Sequence, residues 1–533
     1  MVKGYLTVIV SILLIFVLLL WMDNFYAVDR LMTIGGPQLV TWKTWLNRFI
    51  FILEYILAAS TLFFLLSLKK RQVSIILILI LWGGVILDLT SFSVYGRPAD
   101  ISTIAMLNAA AANYSDACQQ YSVEIFHSVL RSSFLFVPLV FIVSKSDKLF
   151  KSINNSGIVV SASFCVLITI FILILLLKGA QALVGFPKGF NYLFSTLTIE
   201  LNSKVAPKIF EASSPSDKFS FFTKEIKNII LVVDESIEYS EFRALSNFDQ
   251  EKYILDLGRS YSAANCSAPS NYIIRKGFWE SAIYTDQSKN IVVKETDSLF
   301  TVAKRQNFRT YYFDNQNVLM DKTVRNYFTD DEIEHIDEII EGVGDAWSRD
   351  MRSLHQLKEL LIKRKGERKF IFINKIGAHF PYQNNINPNL VSGDKMKDYR
   401  KAIQLGSIEY LKEISGSIDS ESLVLYTSDH GQSFNLNSTH CNSGSILTMQ
   451  EFTVPFVLVT RNDALINLIK QNNLFNKTNH LMISETVRNI CGEDLEKVRS
   501  IFERSEGKYA QGIYGQPFTF FGQFPTCKSY AFD

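Results

Sequence analysis

Two patterns of apolar residues follow one another along the chain. Residues 1–178 hold runs long enough to cross a bilayer as helices, which takes about 20 mostly apolar residues. The runs are Tyr5–Met22, Arg48–Leu68, Val73–Val94, Val123–Ser144 and Gly157–Lys178. Beyond residue 217 the apolar runs shorten to roughly four to eight residues and alternate with stretches of helical spacing. Lys227–Ser236, Phe308–Asn315, Lys369–Ile376, Glu421–Tyr426 and Thr453–Thr460 read as strands, and Asp350–Lys363 and Tyr399–Ile414 as helices. Short continuous apolar runs fit strands buried on both faces, and their alternation with helices predicts a mostly parallel α/β sheet. The expected organisation is a five-helix transmembrane domain (1–178), a bridging segment with Pro187, Pro207 and Pro215 (179–217), and a soluble domain (218–533).

Charge sets the orientation. Lys3, the Lys69–Arg71 loop and Lys145, Lys148 and Lys151 mark the cytoplasmic side. Five spans then carry everything after Lys178 to the opposite side, in a bacterium the periplasm or the outer surface. No small-residue cleavage site follows the first run, so it reads as an uncleaved anchor. Glu124, His127 and Arg131 share one helix face within the fourth span. Either they serve a function within the membrane or they satisfy one another near its interface. The loop Tyr95–Tyr121 is expected to form a surface helix over the spans. The net charge of +2 over 533 residues gives no basic field, so nucleic acid is not expected as a partner. The six cysteines include no CxxC pair, which argues against a cysteine zinc site. Cys165 reads as a core thiol, and sequence cannot pair the others.

The chemistry gathers at strand ends, where open α/β sheets place their ligands. The run ending at Tyr426 meets Ser428-Asp429-His430-Gly431, an acid and an imidazole able to face one metal ion. Gly431 lets the chain turn sharply there. Asn228–Val233 runs into Asp234 and Glu235, paired carboxylates suited to a cation. Ser267 opens a helix-like stretch, and a helix amino terminus favours phosphate. Each feature has a plainer use: Asp429 or Asp234 as a helix cap, Ser267 as an ordinary N-cap. The third strand end, Gly377-Ala378-His379, and His440 in a Ser/Asn-rich loop complete the set.

Together these strand ends resemble the alkaline phosphatase/sulfatase superfamily. Behind five spans, they resemble most the membrane-bound phosphoethanolamine transferases that modify lipid A and core lipopolysaccharide in Gram-negative bacteria. NIILVVDES is similar to the family strand ending in a metal-binding acid, NCSAPSN to the segment with its nucleophilic Thr, and KIGAHFPY to its Met-Gly-x-His-Gly-Pro segment. SDHGQS is similar to Ser-Asp-His-Gly-Glu-Ser, and FTVPFV to its Val-Pro-Phe strand.

The resemblance implies a metal site of Glu235, Ser267, Asp429 and His430, with one or two zinc ions or manganese as the cofactor. It makes Ser267 the nucleophile and gives His379 and His440 to the substrate phosphate and its protons. The implied donor is phosphatidylethanolamine, and the acceptor a lipopolysaccharide or another envelope glycan. The enzyme would be a monomer in the bacterial inner membrane, multi-pass, with its catalytic domain in the periplasm. The chain departs from the family at Ser267 (Thr), Asp234 (a small residue), Gln432 (Glu), Asn374 (often His) and Gly406-Ser407 (an Asp). A phosphoglycerol transferase, or another sulfatase-fold phosphodiesterase of envelope lipids or glycans, is the alternative activity. A non-catalytic binding module is the alternative class. Asn271 stands where sulfatases carry Arg in their Cys/Ser-x-Pro-Ser-Arg signature, which disfavours a formylglycine enzyme.

Overall fold

The computed structural model describes residues 2–22, 42–66, 68, 70–95, 118, 121–145, 209–210, 225–276, 283–285, 291–293, 297–316, 328, 330–434, 439–440, 448–491, 513–514 and 528–529. The chain divides into two compact units, residues 1–107 with 117–205 and residues 108–116 with 206–533.

The first unit contains α1 (Val2–Met22), α2 (Trp42–Leu66), α3 (Arg71–Tyr95) and α4 (Ser122–Lys145), at four of the five expected spans. Among the described residues, Arg71–Val94 and Ser122–Ser144 are long and apolar enough to cross a membrane. Leu19, Ala58, Leu62, Ile78, Val85 and Phe136 pack inside. The outward face is apolar too: Leu14, Ile76, Phe126, Phe134 and Phe141 are all more than half exposed. A helix facing water would carry polar side chains there. Polar groups find partners within the unit: Trp82 Nε1 donates to Ser132 Oγ (2.8 Å) and Arg131 to the Trp21 carbonyl (2.8 Å). The fifth expected span lies outside the described residues. So do the bridging segment, apart from Ile209–Phe210, and nearly all of the Tyr95–Tyr121 loop.

The second unit is built on an eight-stranded sheet. Its strands are β1 (Asn228–Asp234), β2 (Ile254–Tyr261), β3 (Arg309–Asp314), β4 (Glu338–Glu341), β5 (Lys369–Asn374), β6 (Ser422–Ser428), β7 (Thr453–Thr460) and β8 (Thr478–Asn479), in the order β8-β2-β7-β6-β1-β5-β3-β4. All run parallel except β7, which is antiparallel to both β6 and β2. The mostly parallel sheet expected from sequence is present, with β7 reversed.

Helices cover both faces, which is why the central strands are apolar throughout. Ile229, Leu231 and Val233 of β1 point to one side with Phe370, Phe372, Leu423 and Leu425. There they meet α6 (Ser267–Lys276), α7 (Leu299–Arg305), α11 (Asp463–Asn472) and α12 (His480–Ile490). Ile230 and Val232 point to the other with Ile371, Ile373, Val424 and Tyr426, under α5 (Tyr239–Leu245), α8 (Ala346–Lys363), α9 (Lys395–Ala402) and α10 (Glu409–Ser415). A π-helical segment, Ile403–Ile408, joins α9 to α10 without a break, so the expected helix over Tyr399–Ile414 is present with a widened middle turn. Cys266 is disulfide-bonded, and Cys118 and Cys491 are thiols.

Candidate metal centre and nucleophile

The register of β1 and β6 brings the site together. Asp234 pairs with Ser428, so Glu235 and Asp429 leave the sheet side by side. Successive residues of a strand face opposite ways. Asp234 therefore follows Ile230 and Val232 beneath α9 and α10, while Glu235 turns toward α6. At Asp234 the ionic partner is a lysine. Lys375 Nζ lies 2.6 Å from Asp234 Oδ2, and both side chains are wholly buried. Ser407 Oγ and Tyr426 Oη donate to the same carboxylate oxygen (2.7 Å each), and Lys375 also donates to the Gly406 carbonyl (2.7 Å). Asp234 is thus a structural anchor rather than part of the Glu235 cluster.

Glu235, Asp429 and His430 form that cluster, with one ligating atom from each within 4.8 Å of the others. All three are buried. His430 Nε2 is 3.4 Å from Glu235 Oε1 and 3.5 Å from Asp429 Oδ2. Ser267, at the start of α6, places its hydroxyl 3.0 Å from Glu235 Oε1 and 3.1 Å from His430 Nε2. The structure therefore brings Glu235, Ser267, Asp429 and His430 into one constellation.

Three details suit this constellation to a divalent cation. Asp429 Oδ1 accepts from the backbone N–H groups of Ser236 (3.0 Å) and His430 (2.7 Å), while Oδ2 is buried with no hydrogen-bond partner. An orphaned buried carboxylate oxygen is costly unless something else pairs with it. The Gly431 carbonyl lies 2.8 Å from His430 Nδ1, and a proton on Nδ1 leaves the Nε2 lone pair facing the acids. One imidazole nitrogen with two carboxylates and a hydroxyl is a donor set that zinc accepts.

Protonation reflects the crowding. Burial, with Glu235 alongside, pushes the Asp429 carboxyl up to about 8. Burial would also raise Glu235, but the hydrogen bond and charge of His430 hold it well below the usual carboxylate range. His430 is raised to about 9: burial opposes its charge, and Asp429 and Glu235 outweigh burial.

His440 stacks on His430, with ring centres 4.5 Å apart. Its Nδ1 lies 3.2 Å from Gln432 Oε1, and Gln432 Nε2 donates to Tyr382 Oη (3.2 Å). Burial and the charge of His430 lower His440 to about 3. His379, half-buried, stands close enough to influence the charge of both Glu235 and His440. All six expected site residues thus lie in one region of the second unit.

Several supporting residues escaped the sequence reading. Ser236 sits at φ +63, a left-handed conformation rare for a side-chain-bearing residue, and donates to Glu235 Oε1 (2.8 Å). Gln316, two residues past β3, donates to Glu235 Oε2 (3.0 Å). Gly377 (φ +55) passes so close to β1 that a Cβ there would lie 2.1 Å from Asp234 Oδ1. At Gly431 the glycine is required by close approach rather than by a left-handed turn, since a Cβ would lie 2.0 Å from the Gln450 carbonyl oxygen. Gly377 had a sequence signal, since a glycine ending a buried strand marks tight approach. Gln316 and Ser236 had none, because their roles depend on partners distant in sequence.

Residues 227–477 match the Sulfatase family model. The chain carries a sulfatase-family domain. That domain contains every residue of the constellation, together with His379 and His440. The chain is also similar in fold to the integral membrane lipooligosaccharide phosphoethanolamine transferase A from Neisseria meningitidis, at 13% identity over 90% of this chain and 95% of that one, with a TM-score of 0.53. The periplasmic domain of EptC from Escherichia coli, solved in complex with zinc, is 15% identical over 59% of this chain and 94% of that one (TM-score 0.45). The corresponding domain of the phosphoethanolamine transferase EptC from Campylobacter jejuni is 17% identical over 55% and 95% (TM-score 0.41). A comparison with curated protein sequences finds no match.

Proposed function

We propose that this protein is a metal-dependent phosphotransferase of the cell envelope. In this reading it moves phosphoethanolamine from phosphatidylethanolamine to a lipopolysaccharide acceptor. One observation carries the reading: the Ser267 hydroxyl lies within hydrogen-bond reach of both Glu235 and His430, beside the unpartnered Asp429 Oδ2. A hydroxyl so placed has the surroundings of an activated nucleophile.

Glu235, Asp429, His430 and the Ser267 oxygen would hold a zinc ion. Bound there, zinc would supply the positive charge that lowers the pKa of a neighbouring hydroxyl. Ser267 Oγ attacks phosphorus and the bond to the diacylglycerol oxygen breaks. That oxygen leaves with a proton, and the phosphoethanolamine remains esterified to Ser267. An acceptor oxygen then displaces it and restores the hydroxyl. His379 and His440 stand beside the reacting group, where an imidazole can hold phosphate oxygens or carry the proton. Gln432 aligns the His440 ring, and Gln316 and Ser236 orient the Glu235 carboxylate.

The choice of group and substrate leans on the likeness to lipooligosaccharide phosphoethanolamine transferase A. The apolar outward faces of α1, α3 and α4 support helices set in a membrane; in this reading it is the inner membrane, crossed several times, with the chain beyond residue 178 in the periplasm. The disulfide at Cys266 suits that oxidising side. The test is incubation of the detergent-purified, zinc-loaded protein with labelled phosphatidylethanolamine and lipopolysaccharide. Diacylglycerol release with label on the acceptor is expected. Turnover of phosphatidylglycerol alone would instead favour phosphoglycerol transfer, and no Ser267-dependent turnover of either lipid would contradict the reading.

A further inference from the structure

His480 lies beyond the matched sulfatase-family segment and takes no part in the chemistry above, yet it is wholly buried between two of the elements that deliver it. We propose that His480 is a positioning residue that sets the Ser267 helix against the strand end carrying Asp429 and His430. This rests on the functional reading above, and it concerns how the site is held rather than what the site transfers.

The geometry is specific. The β8 residues Thr478 and Asn479 pair with Ser260 and Tyr261 of β2, which fixes the height of the next residue. The Asn479 side chain caps α12 by accepting from the Met482 N–H (3.0 Å), so His480 begins a helix whose start is pinned. Its Nδ1 accepts from the Ala263 N–H (3.1 Å), on the segment leading from β2 to Ser267. Its Nε2 donates to the Ser428 carbonyl (2.9 Å), the last residue of β6. A backbone N–H can only donate and a carbonyl can only accept, so these partners select one neutral tautomer with the proton on Nε2. A third contact closes the network. Ser270, one turn beyond Ser267 in α6, donates its one hydroxyl proton to the Asp429 carbonyl, and its oxygen packs 3.1 Å from His480 Nδ1 without a hydrogen bond to it.

The imidazole therefore ties together segments far apart in the chain, at Ala263 and Ser428, at the point where their side chains must meet. A misplacement of about 1 Å between reacting groups can cost about a hundredfold in rate. An apolar residue of similar size could fill the volume but could not hold a donor and an acceptor on separate segments.

The test compares His480→Phe, which keeps ring volume without either hydrogen bond, with His480→Gln, whose amide offers one acceptor and one donor. Rates are measured on phosphatidylethanolamine and, in parallel, on bis(p-nitrophenyl) phosphate, which reports the chemistry without lipid recognition. His480→Phe is expected to lose about a hundredfold in kcat with KM within about threefold of wild type. His480→Gln is expected to recover to within about tenfold of wild type. A folded Phe variant that keeps a third or more of the wild-type kcat overturns the proposal, as does an equal loss in both variants. If the Phe variant does not accumulate folded, Ser270→Ala takes its place, with roughly a tenfold fall in kcat expected at unchanged KM. An unchanged kcat there overturns it as well. A wild-type enzyme that cleaves the small diester but not the lipid contradicts the functional reading and leaves the His480 comparison valid.

Discussion

The Lys375 ammonium lies 2.6 Å from Asp234 Oδ2, with neither side chain reached by solvent. The pair locks the end of β5 to the end of β1 directly behind Glu235, and Asp350 adds bonds to the Ile376 and Gly377 N–H groups (3.0 and 3.1 Å). Removing one partner of a buried ion pair strands the other charge, at a cost of about 3–5 kcal/mol. Lys375→Met is expected to destabilise the second unit by that amount in denaturant unfolding. The double variant Asp234→Asn/Lys375→Met is expected to regain at least half of the loss. A single variant as stable as wild type would show that the pair is not an anchor.

Substitution at the hydroxyl separates fold from chemistry. Ser267→Ala removes one oxygen from a half-buried position. Glu235, Asp429 and His430 remain in place, so the variant should fold and retain zinc in part. Transfer should fall by at least about a thousandfold, since the nucleophile cannot be replaced by its neighbours. Lipid turnover and zinc content measured on the same preparation check both halves of the expectation.

Protons compete with the metal at the candidate centre. Without metal, Asp429 is raised to about 8 and His430 to about 9. The folded site then keeps protons that the unfolded chain releases near pH 4 and pH 6.5. Its metal-free stability should therefore fall as pH rises through those windows toward 9. Glu235, lowered in the fold, contributes the opposite trend at acid pH, where its stabilising charge is lost. Zinc must expel the held protons, so its affinity should strengthen from pH 6 to about pH 9. Competition with a chelator at several pH values measures this, and a flat profile would argue against zinc at these ligands. Stripping the metal should abolish transfer, and zinc should restore it.

Two glycines should respond in opposite ways. A Cβ at Gly431 would meet the Gln450 and Thr453 carbonyl oxygens at 2.0 and 2.8 Å, so Gly431→Ala should cost about 1–3 kcal/mol and lower activity through His430. Gly406, in the π-helical segment, has nothing within 4 Å of a Cβ. Gly406→Ala should be neutral or stabilise by up to about 1 kcal/mol. Thermal unfolding of the two variants side by side decides it.

The strands bearing Glu235, His379 and Asp429 were legible because both faces of β1, β5 and β6 are buried, which leaves unbroken apolar runs ending in polar residues. Strand β2 was missed because its burial is uneven along ILDLGRSY, and β4 because EIIE is a largely exposed edge. The reversal of β7 left no local mark, since a buried strand reads alike in either direction. Adjacent acids at Asp234 and Glu235 suggested a shared role. Strand alternation divides them, and only the fold shows Lys375 waiting on the far side. His480 carried no signal either, because its partners are backbone groups of Ala263 and Ser428.

The central claim is that Ser267 carries the transferred group. Purified, zinc-loaded protein should be mixed with phosphatidylethanolamine without acceptor, quenched in acid and digested for peptide mass spectrometry. A phosphoethanolamine adduct on the Ser267 peptide, matched by released diacylglycerol and missing in Ser267→Ala, is the expected result. Diacylglycerol release with the adduct on another residue, or undiminished in Ser267→Ala, would contradict the account.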